Sequence, residues 1–454
     1  MLTYELNKKP GLPLYEALYR CIREDILSGT LKPGQKLPSK RALAANLEVS
    51  KITVEGAYAQ LLAEGYIRSV EKVGCFVEAV QQNHVLPLPE AAEPSCQRAV
   101  LDLTANNCTD FPFSVWSRLQ REVMLDLKEQ LLQQIPNQGI VELRRAIAAH
   151  LAQFRGMQVS PDHILVGAGT DFLYNLLIQL LGREKVYAVE EPGYDKIRRI
   201  YHAGGVSCTC VPVDAMGVSP ASLGNAQVLH ISPSHHFPTG LVTPLDRRRE
   251  LLSWAKEGER YIIEDDYDSE FRFHARPVPS LLSLDTQGKV IYMNTFSKTL
   301  SSSIRISYMV LPARLMARFQ RELGFYSCTV PSFEQYTLAR FLSSGHFEKH
   351  INRMRKAYKA RRNRLIDILR QCPMADRLQV LEQDAGLHFL VRVQTRLSDE
   401  GLIALLEKKG IHIRSLRSYY RTPMPPENEN CLVVNYSGLT EGDLQRLELL
   451  LKAW

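Results

Sequence analysis

The sequence predicts a multidomain α/β protein: a winged helix-turn-helix, a linker, and a long domain built around a mostly parallel sheet. Three observations carry this. Residues 12–79 hold three short helical patterns followed by two strand-like pieces. Residues 80–100 contain three prolines and little periodicity, as linkers do. From about residue 101 onward, short apolar strands alternate with amphipathic helices. A length of 454 residues suits two or three domains.

Composition excludes several classes. With 45% hydrophobic and 23% charged residues, the chain has the mix of a globular protein, not of a disordered or collagenous one. No apolar run reaches the roughly 18 residues of a membrane span. The opening MLTYELNKKP lacks the apolar core and cleavage site of a secretory signal. Nine cysteines, odd in number and without a CxxC pair, read as thiols in a reducing cytoplasm. Cys208 and Cys210 fall in an apolar strand-like run and are expected to be buried thiols, not metal ligands. A net charge of +7 mildly favours an acidic partner.

In the first zone Leu14, Leu18, Cys21, Ile22 and Ile26 recur at helical spacing, and Gly29 ends the run. Pro33 and Gly34 make a turn. Ser39 caps a second helix with Leu43, Ala44 and Leu47 inward. Ser50 caps a third with Val54, Ala57, Leu61 and Leu62 inward and Gly65 at its end. The strand-like pieces Tyr66–Val70 and Gly74–Val77 follow. This layout sends the start of the third helix into a major groove, led by Ser50, Lys51, Ile52, Thr53 and Glu55. Its amides and hydroxyls suit phosphates, and Lys51 can reach phosphate or guanine. A small helical interaction domain fits the same pattern. The balance of 11 basic against 9 acidic residues over 1–79 does not separate the two readings.

The order of residues favours DNA. LKPGQKLPSKRALAANLEVSKITVEGAYAQLLAEGYI resembles the DNA-binding domain of the GntR family along its full length. The resemblance implies that Arg41, Ser50, Lys51 and Thr53 lie near DNA and that Gly74 belongs to the wing. That wing normally reads arginine, any residue, then Gly-Ser-Gly. Here Val70-Glu71-Lys72-Val73-Gly74 replaces it, so Lys72 or Arg68 is expected to supply the phosphate contact.

In the long zone, Ile164–Thr170 runs from a strand into a small-residue turn, and the helical pattern Asp171–Leu181 follows. Such a turn offers free N–H groups to a phosphate. In Tyr261–Tyr267 three acids end an apolar strand at the sheet rim, where α/β ligands bind. Taken alone, three acids read as a solvated loop or a helix cap. Lys289–Thr295 reads as a buried strand running into Phe296-Ser297-Lys298-Thr299, with Arg305 close behind. A desolvated amine near cations has a lowered pKa and can form a Schiff base. An arginine nearby can hold a phosphate bidentately. A lone lysine at a strand end is otherwise simply exposed.

Phosphate turn, strand-end acids, Ser-Lys and then arginine is the order found in fold-type-I pyridoxal-phosphate (PLP) aminotransferases. From about 101 to 454 the chain resembles that fold, with a smaller C-terminal α+β subdomain over 320–454. Glu191-Pro192-Gly193-Tyr194 and Phe237-Pro238-Thr239-Gly240 fall at the matching stations. The resemblance implies that Lys298 carries PLP as a Schiff base and that Asp265 pairs with the pyridine nitrogen. It further implies that Tyr267 hydrogen-bonds the phenolic oxygen and Tyr194 stacks on the ring. Gly169, Thr170, Thr295, Ser297 and Arg305 then surround the phosphate. Two departures matter. Phe237 stands where an Asn usually precedes Pro-Thr-Gly, and Val433 aligns with the arginine that clamps a substrate carboxylate. Arg414 and Arg417 are the substitutes considered for that clamp. No metal is expected on the adjacent His235 and His236.

A GntR-type head, a linker and an aminotransferase-like domain together resemble the MocR/GabR family of bacterial transcription regulators. Residues 232–240 (SPSHHFPTG) and 264–271 (EDDYDSEF) look like that family's motifs. The resemblance implies a cytoplasmic, homodimeric, PLP-dependent regulator of double-stranded operator DNA, away from any membrane. Its signal is PLP itself or an amine or amino-acid effector. The alternative is a working PLP-dependent aminotransferase with an accessory N-terminal domain. Phe237 and Val433 count against it, so transamination is expected to be slow or partial at most. The basic run His346–Arg364 puts Ile351, Met354, Tyr358 and Leu365 inward and reads as a solvated helix face, with a second DNA contact as the sharper alternative.

Overall fold

The computed structural model describes residues 2–4, 6, 13–79, 100–105, 110–271, 278–381 and 386–452. The expected linker, 80–100, lies outside the described residues except for Val100. The chain divides into two units, Met1–Cys96 and Gln97–Trp454. No helix among the described residues is long and apolar enough to cross a membrane.

The first unit runs α1 (Leu14–Leu27), α2 (Lys40–Asn46), α3 (Lys51–Ala63), β1 (Ile67–Val70) and β2 (Gly74–Val77). Both expected caps form. Ser39 Oγ accepts from the Ala42 N–H at 3.2 Å, and Ser50 Oγ from the Thr53 N–H at 3.1 Å. Each satisfies a donor that the first helical turn leaves open. Leu18, Ile22, Leu43, Val54, Ala57 and Leu61 are buried together, joined by Tyr19 and Tyr58, which the spacing argument omits. The Tyr58 hydroxyl donates to Pro38 O at 2.9 Å and ties α3 to the entry of α2. Leu14 stays exposed and Cys21 half-buried, so the inward face of α1 is narrower than expected. β1 and β2 form an antiparallel hairpin, Ile67 opposite Val77 and Val70 opposite Gly74.

The second unit holds β3 (Leu101–Asp102), β4 (Ile164–Gly167), β5 (Val186–Glu191), β6 (Ser207–Asp214), β7 (Gly217–Val218), β8 (Val228–Ile231), β9 (Tyr261–Asp265), β10 (Val290–Thr295) and β11 (Ser307–Val310). β4 to β11 make one sheet in the order β4-β11-β10-β9-β8-β5-β6-β7. The run from β10 to β6 is parallel, while β11 is antiparallel to both its neighbours. Parallel strands need helices on both faces, and the apolar residues of β9 divide accordingly. Tyr261 and Ile263 pack toward the helix Thr170–Leu181, and Ile262 packs toward Leu251 and Leu281. A second, antiparallel sheet has the order β12 (Leu378–Leu381), β13 (His388–Val393), β16 (Cys431–Asn435), β15 (Arg414–Ser415). β3 pairs in parallel with β14 (Ile411–His412), so the start of this unit is joined to its last part.

The basic helix spans His346–Gln371, and Ile351, Met354, Tyr358 and Leu365 are buried as expected. Its cations are not a uniform solvated face. Arg355 Nε donates to Glu270 O at 2.6 Å, Arg361 Nη2 meets Asp110 at 3.1 Å, and Arg364 meets Glu448 at 2.5 Å. Arg362 is buried. These guanidiniums brace the helix against its neighbours, so only part of the basic run forms the expected solvated face. Lys349, Arg353, Lys356 and Lys359 remain exposed.

One buried ion pair fixes the upper end of the large sheet. Arg248 is fully buried, on the helix Leu245–Lys256. Its guanidinium donates to Pro233 O at 2.6 Å, Thr243 O at 2.9 Å and Pro279 O at 3.1 Å. It also stands 3.5 Å from Glu264, which accepts the Leu281 and Leu282 N–H groups at 2.9 Å each. Removing one partner of such a pair leaves a charge in a dry interior. Arg248→Ala is therefore expected to cost about 3–5 kcal/mol of stability. A fall in the urea midpoint of the full chain checks this, and an unchanged midpoint contradicts it.

Candidate functional site

A cavity of about 300 Å³ opens among the loops that follow the parallel strands, and Thr170, Tyr194, Asp265, Tyr267, Thr295, Ser297, Lys298 and Arg305 all line it. Gly169, the remaining expected cofactor residue, stands beside them against Arg305.

One end of the cavity suits an anion. The helix Thr170–Leu181 starts there without a side-chain cap, so its first amides are open to a ligand. Gly169 has φ +90°, and a Cβ on it would lie 2.6 Å from Arg305 Nη2. Only glycine accepts both that backbone and that guanidinium. Arg305 is half-exposed, reaching Ala168 O at 3.3 Å and Asp171 Oδ2 at 3.5 Å. Ser297 and Thr295 form a short hydroxyl chain, 3.0 Å apart, that Ser307 Oγ joins at 2.8 Å.

The other end is built by β9. Glu264, Asp265 and Asp266 are all buried, which corrects the solvated loop that three acids alone suggest. Strand alternation sorts them. Glu264 faces Arg248, while Asp266 faces Arg155 at 2.9 Å and the Tyr292 hydroxyl at 2.6 Å. Asp265 between them faces the cavity. Its Oδ2 accepts from the Tyr174 hydroxyl at 2.5 Å and lies 3.5 Å from His230 Nε2. Its Oδ1 is buried with no hydrogen-bond partner. A buried orphan acceptor marks a place for a donor, and a protonated pyridine nitrogen is such a donor.

Lys298 follows β10 and is half-buried. Burial lowers its pKa, with Asp268 opposing the shift. The Tyr267 hydroxyl lies 3.2 Å from His235 Nδ1, which is 2.8 Å from Asp268 Oδ2. Burial first, then Asp268, raises the Tyr267 pKa well above its ordinary range, so the phenol keeps its proton. His236 turns elsewhere, to Thr239 Oγ1 at 2.6 Å, and burial holds its pKa down at about 3. The two adjacent histidines thus have separate partners.

The remaining wall mixes the aromatic Tyr194, Phe237 and Tyr419 with charged residues, among them Asp195, Arg198 and Arg421. Tyr194 is 52% exposed and meets the Phe237 ring edge-on at 6.0 Å. Val433 is buried with Leu390, Leu416 and Cys431, and Phe237 and Tyr419 pack against that cluster. Arg414 sits directly opposite Val433 on β15 but is exposed, and Arg417 Nη1 is used by Thr422 O at 3.1 Å. Neither lines the cavity, whereas Arg421 does. Cys208 and Cys210 are half-buried, not buried, and Cys210 forms part of the cavity wall. They stand on β6, next to the two-residue edge strand β7, where cover is thin.

In the first unit Arg41, Ser50, Lys51 and Lys72 are exposed and Thr53 is half-buried. Ser50 and Thr53 share a hydroxyl hydrogen bond of 2.8 Å at the start of α3, and Lys51 pairs with Glu55 at 3.1 Å. Arg68 is engaged inside the hairpin, 2.8 Å from Glu78 and stacked over Phe76. Lys72 stands at the hairpin tip with φ +61°.

Sequence reasoning missed Tyr174, His230, Glu190 and Arg421. Tyr174 was legible in principle, since it lies one helical turn after Thr170 on the same face. The others reach the cavity from loops and strand ends that carry no local signal.

Comparison with known proteins agrees with this geometry. Residues 98–448 match the family model of aminotransferase class I and II, and residues 14–77 match that of bacterial regulatory proteins, gntR family. The chain is 35% identical to an uncharacterized HTH-type transcriptional regulator, YdeL of Bacillus subtilis, covering 100% of this chain and 99% of that one. It is 31% identical to MocR of Rhizobium meliloti, described as a probable rhizopine catabolism regulatory protein, over 96% of this chain and 92% of that one. Among solved structures, kynurenine aminotransferase of Pyrococcus horikoshii superposes with a TM-score of 0.67 at 23% identity, covering 78% of this chain and 90% of that one.

Glu190 makes the site sensitive to pH. Burial pushes its pKa up from 4.5 to about 8, the Ser232 N–H pulling it down and Asp265 pushing it further up. Between those values the folded chain holds a proton that the unfolded chain has released. The stabilisation is complete below the lower value and is lost as pH rises through about 8. Glu190→Gln keeps the shape without titrating. It is expected to gain on the unmodified chain between pH 5 and pH 8 by up to about 1.4 kcal/mol per pH unit. Urea midpoints across that window check this, and parallel trends for the two proteins contradict it.

Proposed function

The chain belongs to the MocR/GabR family of bacterial transcription regulators, and on that premise we propose that it binds PLP and adjusts its hold on operator DNA to PLP or to an amine ligand. The observation that carries this reading is the convergence of Lys298, Asp265 and the Gly169–Arg305 cradle on one cavity. Bound there, PLP supplies a carbonyl open to amines and a ring that acts as an electron sink.

The chain's own residues divide the work. Arg305, with the amides that open the helix at Thr170, holds the phosphate. Asp265 keeps the ring nitrogen protonated, its free Oδ1 accepting that proton's hydrogen bond. Tyr267 keeps its phenol proton and donates it to an oxygen on the ring. Lys298, its ammonium disfavoured by burial, presents a larger neutral fraction near neutral pH as the attachment point. Phe237 lines the cavity and Val433 packs in the cluster behind it, so neither position supplies the amide or the carboxylate clamp that serve catalysis elsewhere.

The head reads double-stranded DNA through the start of α3, with Arg41, Ser50, Lys51, Thr53 and Lys72 at the contact. The reading includes a cytoplasmic homodimer, which presents two heads to two half-sites. A ligand moves such a system only by binding its two arrangements unequally.

Lys298→Ala is expected to lose the visible absorption of lysine-bound PLP while keeping its melting temperature and ligand-free DNA affinity. Retention of that band contradicts the lysine's role. Lys51→Ala is expected to weaken operator binding and to reduce the slope of log affinity against log salt by about one. A gel-shift titration at several salt concentrations reads both, and an unaltered slope removes Lys51 from the DNA surface.

A further inference from the structure

The first turn of α3 carries an apolar side chain that the head does not bury. Ile52 is 79% exposed and belongs to none of the apolar clusters among the described residues. Its helix buries Val54, Ala57, Tyr58 and Leu61. Leu61 lies about two and a half turns beyond Ile52 and so points to the opposite side. The residue four positions on, which would cover an apolar side chain on a helix surface, is Gly56. It brings no side chain, and a Cβ there would already lie 3.3 Å from Tyr15 Cβ. Helix formation does not ask for isoleucine either, since a β-branched residue loses rotamer freedom against the helix. An aliphatic side chain left in water adds nothing to the stability of the head.

The polar residues beside it are already paired. Ser50 Oγ accepts the Thr53 N–H at 3.1 Å, and the two hydroxyls share a bond of 2.8 Å. Lys51 Nζ lies 3.1 Å from Glu55. The hairpin tip repeats the combination of a lysine with an exposed β-branched residue. Lys72 stands there with φ +61°, followed by Val73, which is 49% exposed. A surface built only for phosphates needs cations and donors, not aliphatic groups. Apolar groups set among cations fit a ligand with a charged rim and a methyl-bearing floor. The major groove of double-stranded DNA is such a ligand, with phosphates along its edges and the 5-methyl group of thymine on its floor.

We propose that Ile52 reads the 5-methyl group of one thymine in the major groove, and so sets a preference for a T·A pair at that position of each half-site. This rests on reading the first unit as a DNA-binding head. The choice works in both directions. Thymine gives Ile52 a methyl group to bury. Cytosine puts its N4 amino group in the groove instead, and an aliphatic side chain set against that donor leaves it without a partner.

The test uses the full chain, with PLP and without, and a duplex library of random sequence. Rounds of selection give the preferred duplex. Each of its thymines is then replaced in turn by deoxyuridine, which pairs in the same way and lacks only the methyl group. At one thymine of each half-site the affinity is expected to fall about 3- to 10-fold. Ile52→Ala should bind the thymine and uracil duplexes alike at that position, and Ile52→Val should keep part of the preference. The melting temperature of Ile52→Ala and its slope of log affinity against log salt should match those of the unmodified chain, because no core contact and no phosphate contact is lost. The proposal is overturned if no single methyl group matters, or if the preference survives Ile52→Ala. It is equally overturned if Ile52→Ala lowers the melting temperature or the salt slope, which marks a structural or a phosphate role. A selection that enriches no sequence removes the reading of the head together with the proposal. An enriched sequence indifferent to its methyl groups removes the proposal alone.

Discussion

The end of β9 is where the second unit concentrates its electrostatic cost. Three consecutive carboxylates are buried there, and each is tolerable only because it has a different neighbour. Arg248 takes Glu264 and Arg155 takes Asp266, which leaves Asp265 to the cavity. Burying an unpaired carboxylate costs several kcal/mol, so the two outer pairs are a condition for the middle one. Arg248 also holds Pro233 and Thr243 by their carbonyls, and so sets the loop that carries His235, His236 and Phe237. The floor and one wall of the cavity depend on the same guanidinium.

Much of this was legible where the signal is local. Ser39 and Ser50 cap helices because a side chain two or three residues ahead of an open amide can reach it, and no tertiary information is needed. The order of glycine turn, acids, lysine and arginine likewise pointed to the residues that line the cavity. Burial was harder. The string Glu-Asp-Asp looks solvated until Arg155 and Arg248, each far away in sequence, are placed against it. The pairings of the basic helix were hidden for the same reason, since Asp110, Glu270 and Glu448 reach it from elsewhere in the chain. Which of Arg414, Arg417 and Arg421 lines the cavity was not legible from spacing, since the buried Glu191 fixes the backbone of Arg421 from across the fold.

On the proposed reading, the cavity combines a cofactor end with a wall that lacks the usual carboxylate clamp. Asp265, Tyr267, Lys298 and Arg305 converge as an enzyme's would. Phe237 and Tyr419 line the opposite wall, with Val433 in the apolar cluster behind them. Enzymes gain rate from groups that bind the transition state better than the ground state. A sensor needs only a ligand-dependent difference between two arrangements. Losing a clamp while keeping the cofactor end is a short route from the first requirement to the second.

Gly169 and Arg305 stand in contact at one end of the cavity. With 2.6 Å between a hypothetical Cβ and Nη2, a side chain at 169 has to turn the end of Arg305 aside, and the φ of +90° strains any residue but glycine there. Two positions far apart in the chain are therefore coupled, because the glycine sets where the guanidinium rests.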